Sequence, residues 1–343
     1  MIIMNKKSWL VVIAAALLLF FGAQGASLRQ ERSNLNAQLA EEMMGNKTIE
    51  EGSSSKRIAV LTVEGTIMDH GEGSPLKEPL TYDHKGTLRA IEDLKKDNNV
   101  KGLILEVNSP GGGTFESVEL YRALRSLKEE KKIPIYVSMK KMAASGGYMI
   151  SMAGDKIFAD TETMTGSIGV IASAYNVKDL MDKYGVKVET FKTGDHKDML
   201  SPYRSVTDEE RNMMKDLLND SYQEFLKIVE EGRHMKEDDV KPLADGRIYS
   251  ARQAKDKHLI DELGYRKDAI AALKKDYNLE GAKVYQVKPS QVNRLVHFFK
   301  RFSLGISLQK LMRGNGLSDD LQAVQTLSKQ LGSPRPYYLY GGE

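Results

Sequence analysis

The chain has 343 residues, room for one large domain or two modest ones, and its 50 Lys and Arg against 47 Asp and Glu leave a formal charge of only +3. So even a balance, with no basic stripe among aromatics in the central region, argues against a nucleic-acid partner. Cysteine is absent, which excludes disulfides, a thiol nucleophile, a cysteine metal site and a lipid-modified N-terminal cysteine, and the six histidines form no close ligand pair that would suggest zinc.

Residues 8–28 carry no charge, and 9–21 are apolar without a break, long enough to cross a bilayer as a helix. Lys6 and Lys7 precede them, as in a signal peptide or an uncleaved signal anchor. Ala23-Gln24-Gly25-Ala26 offers small residues for cleavage, so a released form is the alternative. The favoured reading is an anchor over residues 1–28, with a short cytoplasmic N-terminus and everything after it outside. Residues 29–55 read as a juxtamembrane helix and then a linker, GNKTIEEGSSS.

A folded domain is expected over 56–290. Strands at 57–63, 101–107 and 133–139 alternate with helices at 86–96 and 114–129, which predicts an α/β domain with a largely parallel sheet. The run 102–107 (GLILEV) reads as a buried central strand. Further on, 156–159 and 187–192 read as strands and 176–184 as a helix. Thr207 and Glu210 have capping-box spacing at the head of a long amphipathic helix. Residues 291–343 change character, to an amphipathic segment and an extended tail. Pro334-Arg-Pro-Tyr-Tyr-Leu-Tyr340 cannot be a helix, because two prolines open it.

Two strand-to-helix turns carry the chemistry. In KKMAASGGYMI (140–150), Ser145 stands where a strand ends and a helix begins, with two glycines behind it and helix N–H groups turned toward whatever the serine attacks. In Asn108-Ser-Pro-Gly-Gly-Gly-Thr114, three glycines free the backbone to present N–H groups, a plausible half of an oxyanion hole. Each turn, taken alone, also reads as an ordinary flexible connection. A serine needs a base. His196 would make a Ser-His-Asp triad. Lys197 beside it would make a dyad if burial lowered its pKa, with the Ser167 hydroxyl in TGSIGV to orient its amine.

Taken together, VNSPGGG, MAASGGY, TGSIGV, TGDHKDMLSP and GRIYSARQAKDKHLIDELG resemble the bacterial signal peptide peptidase A family, in its short, single-repeat Gram-positive form. The motifs run in order over residues 57–290. The resemblance implies a crotonase/Clp-protease-like fold of repeated ββα units and a Ser/Lys dyad. Position by position it implies Ser145 as nucleophile, Lys197 as base, and Ser167 as the group that orients the lysine. It also implies backbone donors at Gly112 (Gly113 being the alternative) and Gly146, and leaves His196 outside the catalytic set. It carries nothing over to the last fifty residues.

The expectation is then a membrane-bound serine endopeptidase that degrades leftover signal peptides and other short peptides at the outer face of the cytoplasmic membrane. No metal or cofactor is called for. The dyad is expected to form between neighbouring subunits of a homo-oligomeric ring, because tandem-repeat relatives resemble two such domains fused. For the aromatic tail two readings stand side by side: an extended apolar segment docked in a substrate groove, its own or a neighbour's, or a tail packed on the surface or disordered. The rivals are a catalytically idle peptide-binding scaffold and a crotonase-like acyl-CoA enzyme, which needs no serine nucleophile.

Overall fold

The computed structural model of the protein describes residues 47–69, 82–287 and 337–339. The proposed anchor at 1–28, the juxtamembrane stretch and most of the tail region lie outside the described residues. Among those described, no helix is long and apolar enough to cross a membrane. The described residues from Thr48 onward belong to one compact unit.

Its strands are β1 (Lys47–Glu50), β2 (Ser53–Glu64), β3 (Val100–Ser109), β4 (Gly111–Gly113), β5 (Ile135–Ala144), β6 (Lys156–Ala159), β7 (Met164–Gly166), β8 (Ile248–Ser250), β9 (Glu262–Leu263), β10 (Ala282–Val287) and β11 (Tyr337–Leu339). The helices are α1 (His84–Lys96), α2 (Thr114–Lys131), α3 (Gly146–Ser151), α4 (Lys178–Lys183), α5 (Asp208–Arg233), α6 (Glu237–Val240), α7 (Ala251–Asp256) and α8 (Arg266–Asp276). The main sheet has the order β1-β10-β2-β3-β5-β6-β9, and β7 pairs with β5 and β8. Every pairing from β10 across to β9 is parallel, and so is β5–β7; β7–β8 is antiparallel. This is the α/β, parallel-dominated architecture that the alternation predicts.

Alternation along the strands sorts the side chains between two layers. Odd positions such as Leu61, Leu105 and Val137 join the larger core with α1, α2, α3 and α5. Even positions such as Val60, Ile104 and Phe158 meet Ala269, Ile270 and Leu273 of α8. Both faces of the central strands are thus covered, which is why 102–107 reads as an unbroken apolar run. Each fully buried Leu or Ile there contributes about 1.5–3 kcal/mol of transfer free energy.

Two local expectations differ. The linker-like 45–55 already contains β1 and the start of β2; β10, which lies between them in the sheet, gives their backbone a partner that composition cannot reveal. No strand forms at 187–192, where the side chains are exposed and nothing pairs with the backbone. The helix after Ser145 is only six residues long. The capping box of α5 is present: Glu210 N–H donates to Thr207 Oγ1 at 3.1 Å and Thr207 N–H to Glu210 Oε2 at 2.9 Å.

Candidate active site

Parallel strands deliver their C-terminal ends to one edge of a sheet, where α/β proteins place ligands. β3, β5 and β7 end there at Ser109, Ala144 and Gly166. Ala144 pairs with Gly166, so the next residues of the two strands, Ser145 and Ser167, stand side by side. The Ser145 N–H donates to the Gly166 carbonyl at 2.8 Å, and the Ser167 N–H to the Arg247 carbonyl at 2.8 Å. Both serines have positive φ, 54° and 49°. A non-glycine residue pays about 1–3 kcal/mol to sit in such a region, and only over-determined surroundings hold it there. Those surroundings are the core: the two residues are 1% and 6% exposed. The Ser145 hydroxyl is buried without a hydrogen-bond partner. It stands at the junction of β5 and α3, where the N–H of Gly146, first residue of the helix, has no acceptor within the helix.

The glycine turn lies against this junction. A Cβ built on Gly146 would come 3.3 Å from the Gly111 Cα and 2.3 Å from the Ser117 Oγ, so only glycine lets α3 close on β4 and α2. Ile67 flanks β4 on one side: its N–H donates to the Gly111 carbonyl at 2.8 Å, and its carbonyl accepts from the Gly113 N–H at 2.9 Å. The Gly113 N–H is therefore engaged. Peptide groups alternate along a strand, so the Gly112 N–H faces away from Ile67. On that side lies β11, from the tail, antiparallel to β4 with Tyr337, Tyr338 and Leu339 opposite Gly113, Gly112 and Gly111.

Lys197 has different surroundings. It sits in an exposed turn, its own N–H donating to the Gly194 carbonyl at 3.2 Å, and its amine is in no hydrogen bond or ion pair among the described residues. Within one chain the structure thus brings together Ser145, Ser167, Gly112 and Gly146, and the exposed Lys197 amine makes no hydrogen bond to any of them. Its neighbour Asp198 is held firmly. Arg204 donates to Asp198 from Nε at 2.9 Å and from Nη2 at 2.8 Å, and reaches on to Glu210 from Nη1 at 2.9 Å. Lys192 Nζ adds a bond to Asp198 at 2.8 Å. These cations hold Asp198 well below the usual carboxyl range, Arg204 contributing most. His196 is exposed, 3.7 Å from Glu209.

Sequence reasoning missed Ser117. Its hydroxyl is fully buried without a partner, next to Gly146. A serine one turn into an amphipathic helix carries no signal of its own; only the α2–α3 contact makes it notable. Among the described residues no cluster of three or more His, Asp or Glu could hold a metal ion.

Residues 127–280 match the model of peptidase family S49. Over 353 aligned positions, 99% of this chain and all of the relative, the sequence is 38% identical to a protein of Enterococcus faecium provisionally named signal peptide peptidase SppA. The chain belongs to the signal peptide peptidase A family of S49 peptidases. A provisionally named protease of Methanocaldococcus jannaschii is 36% identical over 64% of this chain and 70% of its own. Protease 4 of Haemophilus influenzae is 35% identical over 62% of this chain and only 34% of its own, longer length. Membership makes this protein a serine peptidase. Ser145 combines a buried, unpartnered hydroxyl with a positive φ at a strand-to-helix turn.

Proposed function

We propose that the protein is a membrane-anchored endopeptidase working through a Ser145/Lys197 dyad on signal peptides and other short peptides outside the cytoplasmic membrane. The neutral Lys197 amine takes the Ser145 proton as Oγ attacks the peptide carbonyl. The oxyanion receives the Gly112 and Gly146 N–H groups. Lys197 then protonates the leaving amine; in the second half it takes a proton from water as the water attacks the ester, and gives that proton to Ser145 Oγ as the acid product leaves. Ser167 orients the lysine, and the sheet carrying both serines is the crotonase-like frame. The single observation that carries this reading is the unpartnered Ser145 hydroxyl, held at φ 54° between Ser167 and the glycine strand.

Peptide binding follows by strand addition. β11 supports it, since it pairs with β4 through the main chain on the side away from Ile67. The engaged Gly113 N–H favours Gly112 as donor. A strand seated as β11 is would turn the carbonyl opposite Gly112 toward that N–H; for the tail this is the carbonyl of Tyr338. The tail is then its own first substrate, cut after Tyr338.

The lysine comes from a neighbouring subunit. Support lies in the exposure of Lys197, whose amine has no hydrogen bond to the buried Ser145, and in the apolar side chains of the same segment, Tyr175, Leu180, Tyr184 and Phe191, all more than half exposed. Such a patch marks an association surface. The anchor, from the N-terminal apolar run, keeps the ring on the membrane. Intact mass over time tests the reading. Wild-type protein should lose Leu339–Glu343 and Ser145→Ala should keep them. Retention of Glu343 by protein that hydrolyses added peptide would refute trimming alone, and absence of any hydrolysis would refute the peptidase assignment of Ser145.

A further inference from the structure

A strand lying on β4 points toward a cavity that the proposed chemistry leaves unused. The cavity, about 580 Å³, opens between α2 and α5, with Thr114 and Phe115 at its rim immediately after Gly113. The register sets Tyr338 opposite Gly112 and Tyr337 opposite Gly113. Each extended residue advances about 3.3 Å, so the third residue before the one facing Gly112 lies about 10 Å further along, beyond the end of β4 and toward the head of α2, where Thr114 and Phe115 line the cavity.

The lining has two parts. Phe115, 72% exposed, and Val118 give an apolar floor on α2. Around it stand Glu119, Asp220 and Glu224 against a single cation, Arg122. Arg122 Nη2 is already on Glu224 Oε1 at 3.0 Å, and Glu119 Oε2 is on His84 Nε2 at 2.8 Å. Asp220 is exposed and makes no ion pair among the described residues. An apolar stem with a cationic head fits this lining: the stem lies over Phe115 and Val118 and the head reaches Asp220. We infer that the cavity is a subsite for a Lys or Arg side chain three residues before the residue whose carbonyl is attacked. This inference rests on the peptidase reading and on the β11 register. The chain's own tail has the matching residue, since Arg335 stands three positions before Tyr338.

The test uses full-length protein in detergent and four blocked peptides that differ only at that position, carrying Arg, Lys, Gln or Glu. Arg and Lys peptides should exceed the Gln peptide in kcat/KM by about threefold to tenfold, mostly through KM, as expected of a partly exposed ion pair, and Glu should fall below Gln. The spread should shrink in about 0.5 M salt. Asp220→Lys, normalised to its own hydrolysis of the Gln peptide, should prefer Glu over Arg. Equal hydrolysis of all four peptides, or an unchanged preference in Asp220→Lys, would remove the subsite and leave the peptidase reading intact. If even the Gln peptide is left uncut, both fall together.

Discussion

Ser145 and Lys197 are 52 residues apart in sequence and sit in opposite kinds of surroundings. Around Ser145 nearly everything is buried: Ala143, Ala144, Tyr148 and Met149 have no exposure, and the backbone is pinned through Gly166 and Gly111. Around Lys197 the arm from Ile171 to Tyr203 leaves Phe191 95% and Tyr175 78% exposed, and its only helix, α4, buries no residue. The comparison teaches what each half can do alone. A frame with two covered faces can hold two serines at unfavourable φ. An arm without a core leaves its lysine and its large apolar residues exposed among the described residues.

The largest effects should come from cutting that division at its two ends. Ser145→Ala and Lys197→Ala are each expected to lower peptide hydrolysis by about a thousandfold or more, and His196→Ala to keep most of it. Mixing the two dead proteins under conditions that exchange subunits should then restore part of the activity. A mixture that stays inactive after demonstrated exchange would return both residues to one chain, and the arm would have to fold over its own frame.

Next come the glycines, which sharpen the same contrast. A Cβ at Gly112 would lie 1.9 Å from the Ile67 carbonyl oxygen, inside fixed backbone. Gly112→Ala should therefore cost about 1–3 kcal/mol of stability and most of the activity. At Gly194, beside Lys197, nothing lies within 4 Å and φ is not positive. Gly194→Ala should stay within about 0.5 kcal/mol of wild type. Urea denaturation of both variants makes the check, and comparable losses would mean that the arm is packed after all.

The sequence was most legible where one physical rule decides alone. Two-sided burial marks 102–107 as central strand, and the Thr207–Glu210 spacing marks the head of α5. The Ser145 turn was legible as a strand-to-helix junction, because glycines follow a short β-branched and aromatic run. Pairing partners were not legible. Polar residues 47–50 become strand only because β10 lies beside them, and 187–192 fails to become one because no neighbour is present. The choice between Gly112 and Gly113 needed the position of Ile67, more than forty residues away. Ser117 needed the closeness of two helices.

The smallest expected effect concerns the clamp beside Lys197. Arg204 ties Asp198 to Glu210, whose carboxyl is drawn down to about 2, chiefly by Arg204 and then by the Thr207 N–H. Asp198 is drawn down further by Arg204 and Lys192. Both carboxyls titrate lower folded than unfolded. Their contribution is therefore complete above the unfolded value of about 4 and is lost as pH falls from there toward the folded values. Because the clamp sits on the arm, its loss should loosen residues 192–206 and leave the frame intact. Amide protection, corrected for intrinsic exchange, should fall in the arm between about pH 4 and pH 2 while β3 and β5 stay protected. At neutral pH Arg204→Met should reproduce that loosening, shift melting by no more than about 2 °C, and lower kcat about tenfold with little change in KM, since it misplaces the base and not the peptide. Arg204→Lys should recover only part of the rate, because an ammonium cannot span two carboxylates as the guanidinium fork does. A full rate in Arg204→Met would show that the neighbouring subunit, and not the clamp, sets where Lys197 stands.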